Sequence, residues 1–260
     1  MANDRGVDLV CLDVSGTIAE GSLGAPLPGA VEAVRRVAER LPVRFVTNVT
    51  SQPARAIVDH LRREQLLEDP ETLFTPATTA RRVLEGERAS GVLLADGPVR
   101  ADLEWFREDP GGPSVLVATE GHDLRIADLQ PAFRRLLDGA SLYALQRNRY
   151  FRRGGVLLTD VGPLAALLAY AADVDMQVFG KPSALLFEAI AEGAGVPLDR
   201  VAMVGDDAEF DVAASVELGL KGVLVRTGKY RAGDEERVSP RPSAVLDSIA
   251  DLPAWLGLDD

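Results

Sequence analysis

Apolar residues gather in short runs near both ends of the chain, and each run stops at a polar or acidic residue. Val7, Leu9, Val10, Cys11 and Leu12 lead into Asp13; Val43, Phe45 and Val46 lead into Thr47 and Asn48; Val201 to Val204 lead through Gly205 into Asp206. Runs of this length and β-branched content predict strands, here a strand ending at Asp13 and others over 43–47 and 201–204. Val31, Val34, Val37 and Leu41 recur at helical spacing, which predicts a helix over 29–40, and Pro53 opens a second one. The late part of the chain repeats the alternation, with strands over 176–179 and 222–225 and helices over 184–194 and 208–218. Gly219 suits the end of that last helix. The order is βαβα, which implies an α/β fold built on a parallel sheet with helices on both faces.

A second set of elements lies between the early and late runs: strands over 91–95, 115–118 and 142–145, and a helix over 129–137. Asp109-Pro110-Gly111-Gly112-Pro113 marks a loop inside it. With 260 residues the chain is near the upper size for one core. If the early and late acidic strand ends meet at one sheet edge, the middle piece must be an insertion that folds by itself. The expected division is therefore a core over 1–76 and 173–260, with an inserted domain over 77–172.

Composition narrows the partners. A formal charge of -12 argues against a nucleic-acid backbone, whose recognition rests on clustered Lys and Arg, and favours a small substrate. Residues 1–5 lack a basic region followed by an apolar one, and no apolar stretch approaches the roughly 20 residues of a membrane span, so the expectation is a cytoplasmic protein with no membrane partner. Cys11 has no second cysteine to pair with and reads as a buried apolar residue. His60 and His122 are too isolated to suggest a histidine metal site.

Candidate chemistry sits at the strand ends, where open α/β sheets bind ligands. Asp13, followed by Val14-Ser15-Gly16-Thr17, is delivered there, although the same segment also suits a turn capped by its own Asp. Thr47 and Asn48 offer a hydroxyl and an amide to phosphate oxygens, or form an ordinary turn. The chain has 28 Lys and Arg together, of which only Lys181, Lys221 and Lys229 are lysines. Lys181, in Gly180-Lys181-Pro182, is a compact charge that Arg does not replace where one ammonium must reach a carboxylate and a phosphate; Lys221 and Lys229 fit exposed loop lysines better. Asp206, Asp207, Glu209 and Asp211 fall within six positions, and they repel one another unless a cation or Lys181 compensates them. Mg²⁺ suits a few hard oxygens, so Asp13 and one or two of these acids would hold it; acids favoured at a helix N-terminus are the alternative.

Taken in order, Asp13 to Thr17, Thr47-Asn48, Lys181-Pro182 and Gly205-Asp206-Asp207 with Asp211 resemble the four motifs of the haloacid dehalogenase-like hydrolase superfamily. The resemblance covers nearly the whole chain. Residues 222–231, Asp138-Gly139-Ala140 and Arg149-Tyr150 narrow it to the branch with the insert after the second motif, which includes phospholysine phosphohistidine inorganic pyrophosphate phosphatase and its close relatives. It implies a doubly wound Rossmann-like core with an inserted α/β cap domain, and a Mg²⁺-dependent phosphatase acting through an aspartyl-phosphate. Asp13 is then the nucleophile and Lys181 its charge partner. Thr47 and Asn48 hold the phosphoryl oxygens, Asp13, the Ser15 carbonyl and Asp206 hold the metal, and Asp207 and Asp211 support the metal or Lys181. The partner is a small phosphorylated substrate, and both a monomer and a homodimer are compatible with the sequence.

One position departs from the superfamily. Most of its phosphatases carry a second Asp two positions after the nucleophile, where it protonates the leaving group, and here Ser15 stands there, as in the narrower branch. A hydroxyl is a poor general acid near neutral pH. The expected substrates therefore have good leaving groups: pyrophosphate, phosphoramidates, acyl or aryl phosphates. The alternatives are a catalytically weak phosphate-binding protein and a receiver-like phosphoacceptor, although a receiver places its acid pair at the first strand. In the insert, Arg134, Arg135, Arg147, Arg149, Arg152 and Arg153 either steer anions or form a solvated basic face, and Asn148, Arg149 and Tyr150 are candidates for substrate contact.

Overall fold

The computed structural model describes residues 5–84, 86–153 and 156–258; the side chains of Arg152 and Arg153 lie outside that description. The chain forms two compact units: Met1–Thr47, Arg55–Phe74 and Leu186–Asp260 make the first, and Asn48–Ala54 with Thr75–Leu185 the second.

The first unit is built on a six-stranded sheet. In spatial order its strands are Ala244–Leu246, Lys221–Val225, Val201–Gly205, Leu9–Asp13, Val43–Val46 and Leu73–Phe74, and every neighbouring pair is parallel. Parallel strands are covered on both faces, so they are apolar at consecutive positions, and Leu9–Asp13 and Val201–Gly205 are buried at all positions. Leu9, Cys11 and Met203 pack with Phe187 and Ile190 of the helix Ala184–Ala194, which makes Cys11 the buried apolar group its sequence suggests. The helix Ala30–Ala38 buries Ala30, Ala33, Val34 and Val37, one stripe at helical spacing.

The helix expected over 208–218 is not regular. Residues Ala208–Ala213 form a wide turn in which Asp211 N and Val212 N both donate to the Asp207 carbonyl, at 3.0 and 3.3 Å, and only Ala214–Glu217 is α-helical. Such a widened turn inside a helix is a distortion common at functional sites.

The second unit carries a five-stranded sheet, again all parallel: Met176–Val178, Ser141–Ala144, Ser114–Val117, Ser90–Leu94 and Arg107–Glu108 in spatial order. Val115 and Val117 pack with Leu136 and Leu168 of the helices Gln130–Leu137 and Val161–Ala172, while Leu116 and Ala118 pack on the other face with Ala77 and Ala80 of the helix Pro76–Val83. Period-2 alternation thus feeds two cores. A hairpin, Tyr150–Arg153 with Val156–Thr159, completes the unit.

The strand expected over 176–179 as part of the first sheet belongs here, because Met176 pairs with Leu142 and Val178 with Ala144. The second unit accordingly extends to Leu185, beyond the expected boundary at 172. Among the described residues no helix is long and apolar enough to cross a membrane.

Candidate active site

Asp13, Thr47 and Asp206 end or follow three adjacent strands of the six-stranded sheet, with Leu9–Asp13 between the other two. All three residues are buried. The chain leaves Asp13 in a tight turn in which Ile18 N and Ala19 N donate to the Val14 carbonyl at 3.1 and 3.0 Å, and Gly16 N donates to the Ala19 carbonyl at 2.8 Å. That turn brings the Thr17 hydroxyl to Asp13 Oδ2 at 3.3 Å, so the carboxylate is oriented from within its own loop. Ser15 is half-buried in the same turn. The Thr47 backbone N–H donates to the Phe74 carbonyl at 3.0 Å, which anchors the second strand end.

Carboxylate oxygens of Asp13, Asp206 and Asp211 all lie within 4.8 Å of one another, and all three residues are buried. Three anions at that spacing repel one another strongly in a poorly solvated place. A divalent cation offsets the repulsion, and a set made only of hard oxygens, with no His or Cys, suits Mg²⁺ better than zinc. The donor set therefore fits Mg²⁺. The structure brings Asp211, expected as a supporting residue, within the same 4.8 Å limit as the other two. Asp207 instead turns to the helix start, where it accepts from Glu209 N at 3.2 Å and Phe210 N at 3.0 Å.

Sequence reasoning passed over Lys229. Its side chain is exposed, as an ordinary loop lysine would be, yet Nζ pairs with Asp207 Oδ2 at 3.1 Å and its backbone N–H donates to Asp206 Oδ2 at 2.6 Å. Desolvation pulls the ammonium pKa down, and the charges of Asp207, Asp211 and Asp206 with the Asp207 hydrogen bond outweigh it, so the pKa is raised. One signal in the sequence points to this residue. Residues 227–229 follow the strand Lys221–Val225, and the strand-end rule that selects Asp13 applies there too.

Lys181 and Asn48 belong to the second unit. Lys181 is buried, and Asn48 grips its backbone from both sides: the Lys181 N–H donates to Asn48 Oδ1 and Asn48 Nδ2 donates to the Lys181 carbonyl, each at 2.7 Å. The Asn48 amide thereby fixes where the lysine stands, leaving one amide proton for any other partner.

Of Asn148, Arg149 and Tyr150, Asn148 lies in a polar network of the second unit. Asn148 N donates to Gln146 Oε1 at 2.8 Å, and the Asn148 side chain and Gln146 Nε2 both hydrogen-bond the buried Asp160, which caps the helix Val161–Ala172. Asn148 thus serves this network, while Arg149 and Tyr150 are exposed. His122 joins the same region through Thr159, whose carbonyl lies 2.9 Å from its Nε2. His60 is buried and hydrogen-bonds the Gly24 carbonyl at 2.8 Å.

A family model for haloacid dehalogenase-like hydrolases matches residues 10–104, and a second, HAD-hydrolase-like model matches residues 178–252. The chain is 36% identical over 251 residues to the haloacid dehalogenase-like hydrolase domain-containing protein 2 of Homo sapiens, covering 96% of this chain and 95% of that protein. It is 31% identical over 252 residues to the phospholysine phosphohistidine inorganic pyrophosphate phosphatase of Homo sapiens, covering 95% and 93%. A solved 4-nitrophenylphosphatase from Thermotoga maritima matches with a TM-score of 0.80 at 25% identity, over 96% of this chain and 97% of that one. A p-nitrophenyl phosphatase from Archaeoglobus fulgidus matches with a TM-score of 0.83 at 22% identity, over 96% and 99%, which speaks for the fold alone.

Proposed function

Because the chain belongs to the haloacid dehalogenase-like hydrolase family, we propose that it is a Mg²⁺-dependent phosphatase working through a phosphorylated Asp13, on small substrates with good leaving groups. The observation that carries this reading is the buried trio of Asp13, Asp206 and Asp211 at the carboxyl edge of a parallel sheet. When bound, Mg²⁺ supplies charge neutralisation of the phosphoryl group.

An Asp13 carboxylate oxygen attacks phosphorus, and the bond from phosphorus to the leaving group breaks with its electron pair going to that group. Water then attacks the same phosphorus, inorganic phosphate departs, and the carboxylate is regenerated. The Thr17 hydroxyl restrains Asp13 Oδ2, which limits the carboxylate's rotation during attack. Thr47 and Asn48 bind phosphoryl oxygens, and Lys181, a buried ammonium fixed by its backbone bonds to Asn48, offsets the repulsion between an anionic nucleophile and an anionic substrate. The Ser15 carbonyl joins Asp13, Asp206 and Asp211 toward the metal, and Asp207 holds the helix that carries Asp211. Asn148, Arg149 and Tyr150 are the proposed contacts with the rest of the substrate.

Ser15 sets the substrate class. With no carboxylic acid two positions after Asp13, the leaving group departs without help from that position, which favours pyrophosphate, phosphoramidates, acyl phosphates and aryl phosphates over alkyl esters. The test is log kcat/KM against leaving-group pKa for a series of aryl and alkyl phosphates. A steep fall is expected for the natural chain and a shallower one for Ser15→Asp. Equal slopes, or a preference for sugar phosphates, would show that another group supplies the proton. Release of one leaving group per chain, with the phosphoryl group retained on the protein and no further turnover, would favour a phosphoacceptor instead.

A further inference from the structure

The loop after Asp13 and the Asp206 carboxylate are both held by one short stretch of chain, residues 227–229. The Thr227 hydroxyl donates to the Gly16 carbonyl at 2.6 Å, and the Lys229 backbone N–H donates to Asp206 Oδ2 at 2.6 Å. Between them Gly228, at φ +57°, faces Gly16, at φ +89°. A Cβ on Gly228 would lie 2.7 Å from Gly16 Cα and would overlap the Asp206 carboxylate, so the three groups meet only because both positions lack side chains. The stretch is itself braced at its ends. Arg226 pairs with Asp247 at 3.0 Å and Glu235 at 3.1 Å, and the Tyr230 hydroxyl donates to Glu235 Oε2 at 3.0 Å.

We propose that residues 227–229 are a positioning clasp: the Thr227 hydroxyl and the Lys229 amide set the spacing between the loop after Asp13 and Asp206, and thereby how tightly this chain holds its divalent cation. The clasp rests on the reading of Asp13 and Asp206 as cation ligands. Gly16 is fixed at its N–H by Ala19 and at its carbonyl by Thr227, which also fixes the Ser15 carbonyl next to it in the chain. Asp206 is fixed at one oxygen by an amide that is part of the same stretch. Carboxylates held in place before a cation arrives need not be gathered when it binds, which is why groups behind metal ligands influence affinity strongly.

The experiment is calorimetric titration of the substrate-free full-length protein with MgCl₂, for the natural chain, Thr227→Val, Thr227→Ser and Gly228→Ala. Hydrolysis of nitrophenyl phosphate is measured alongside as a function of Mg²⁺ concentration. Thr227→Val keeps the shape and removes the donor, so its Mg²⁺ dissociation constant should rise on the order of 10-fold, with Thr227→Ser close to the natural value. Gly228→Ala pushes on Asp206 and should weaken Mg²⁺ at least as much. At saturating Mg²⁺, kcat of Thr227→Val should recover most of its loss, a split that a general loss of stability would not produce. If Thr227→Val does not fold, Gly228→Ala decides the question. A natural chain that binds no Mg²⁺ overturns the proposed function and the clasp together. A natural chain that binds Mg²⁺ and turns over, with Thr227→Val and Gly228→Ala binding it as tightly, overturns the clasp alone.

Discussion

The two units of this molecule surround the acids that follow their strands in different ways. In the second unit, Asp160 follows the antiparallel hairpin strand Val156–Thr159 and accepts hydrogen bonds from Val161 N, Gln146 and Asn148. Asp96, after Ser90–Leu94, accepts from the Thr119 hydroxyl. These acids are satisfied by neighbours and complete a local structure. In the first unit, Asp13, Asp206 and Asp211 are buried with carboxylate oxygens within 4.8 Å of one another, a donor set that suits a cation. A strand end delivers polar groups in both cases. Whether those groups cancel locally or accumulate like charge separates a structural network from a site for chemistry.

The comparison breaks most decisively at Asp13. Asp13→Asn keeps the shape and removes the nucleophile, so phosphate release should fall on the order of 10⁴-fold or more while the circular dichroism spectrum and Tm stay near those of the natural chain. Retained turnover would show that this edge is no more reactive than the other.

Asp211→Asn tests the accumulated charge itself. Mg²⁺ affinity should fall on the order of 10- to 100-fold, whereas in chelator the variant should be more stable than the natural chain by about 1–3 kcal/mol, because one of three mutually repelling carboxylates has become neutral. Urea unfolding with and without Mg²⁺ measures both. A variant destabilised in chelator would mean that the hydrogen bonds and ion pairs of these acids outweigh their mutual repulsion.

Asp160→Ala should act in the contrary sense and cost about 1–2 kcal/mol regardless of Mg²⁺, since the Val161 N–H and the Gln146 amide lose their acceptor. The smallest effect concerns pH. Burial raises the Asp160 pKa above the ordinary 3.8, partly offset by the bonds from Val161, Asn148 and Gln146 and by His122. The folded chain then holds this proton more tightly than the unfolded one. Stability from this group is full below the unfolded value and is lost as pH rises through the folded one. Asp160→Asn lacks that loss, so the natural chain should weaken relative to it as pH rises above the ordinary value of 3.8, as read from urea midpoints. Parallel midpoints would show that the carboxylate is fully compensated.

Much of this was legible in the residue pattern. The strands before Asp13, Thr47 and Asp206 are apolar runs with sharp polar ends, and local patterning is sufficient to recognise them. The resemblance to the family supplied roles that patterning does not. The sheet to which residues 176–178 belong was not legible, because an apolar run shows that a strand forms and not which partner it takes; here Leu142 and Ala144 decide it. The wide turn at Ala208–Ala213 was hidden because its side-chain spacing still resembles a helix, and the difference lies in a shared carbonyl at Asp207. Lys229 was hidden because its important atom is a backbone N–H, which every residue but proline carries.

The central strand Leu9–Asp13 is made first, yet one of its two neighbours, Val201–Gly205, comes from the last quarter of the chain. During synthesis Asp13 therefore emerges long before Asp206 and Asp211 exist. The second sheet is drawn almost entirely from Thr75–Leu185 and has all its strands in hand earlier. Assembly on the ribosome should accordingly run from the inside of the sequence outward, with the inserted unit closing while the flanking segments wait. A chain stopped before residue 201 has a complete second sheet and no partner strand on one side of Asp13, so such truncated products should release no phosphate.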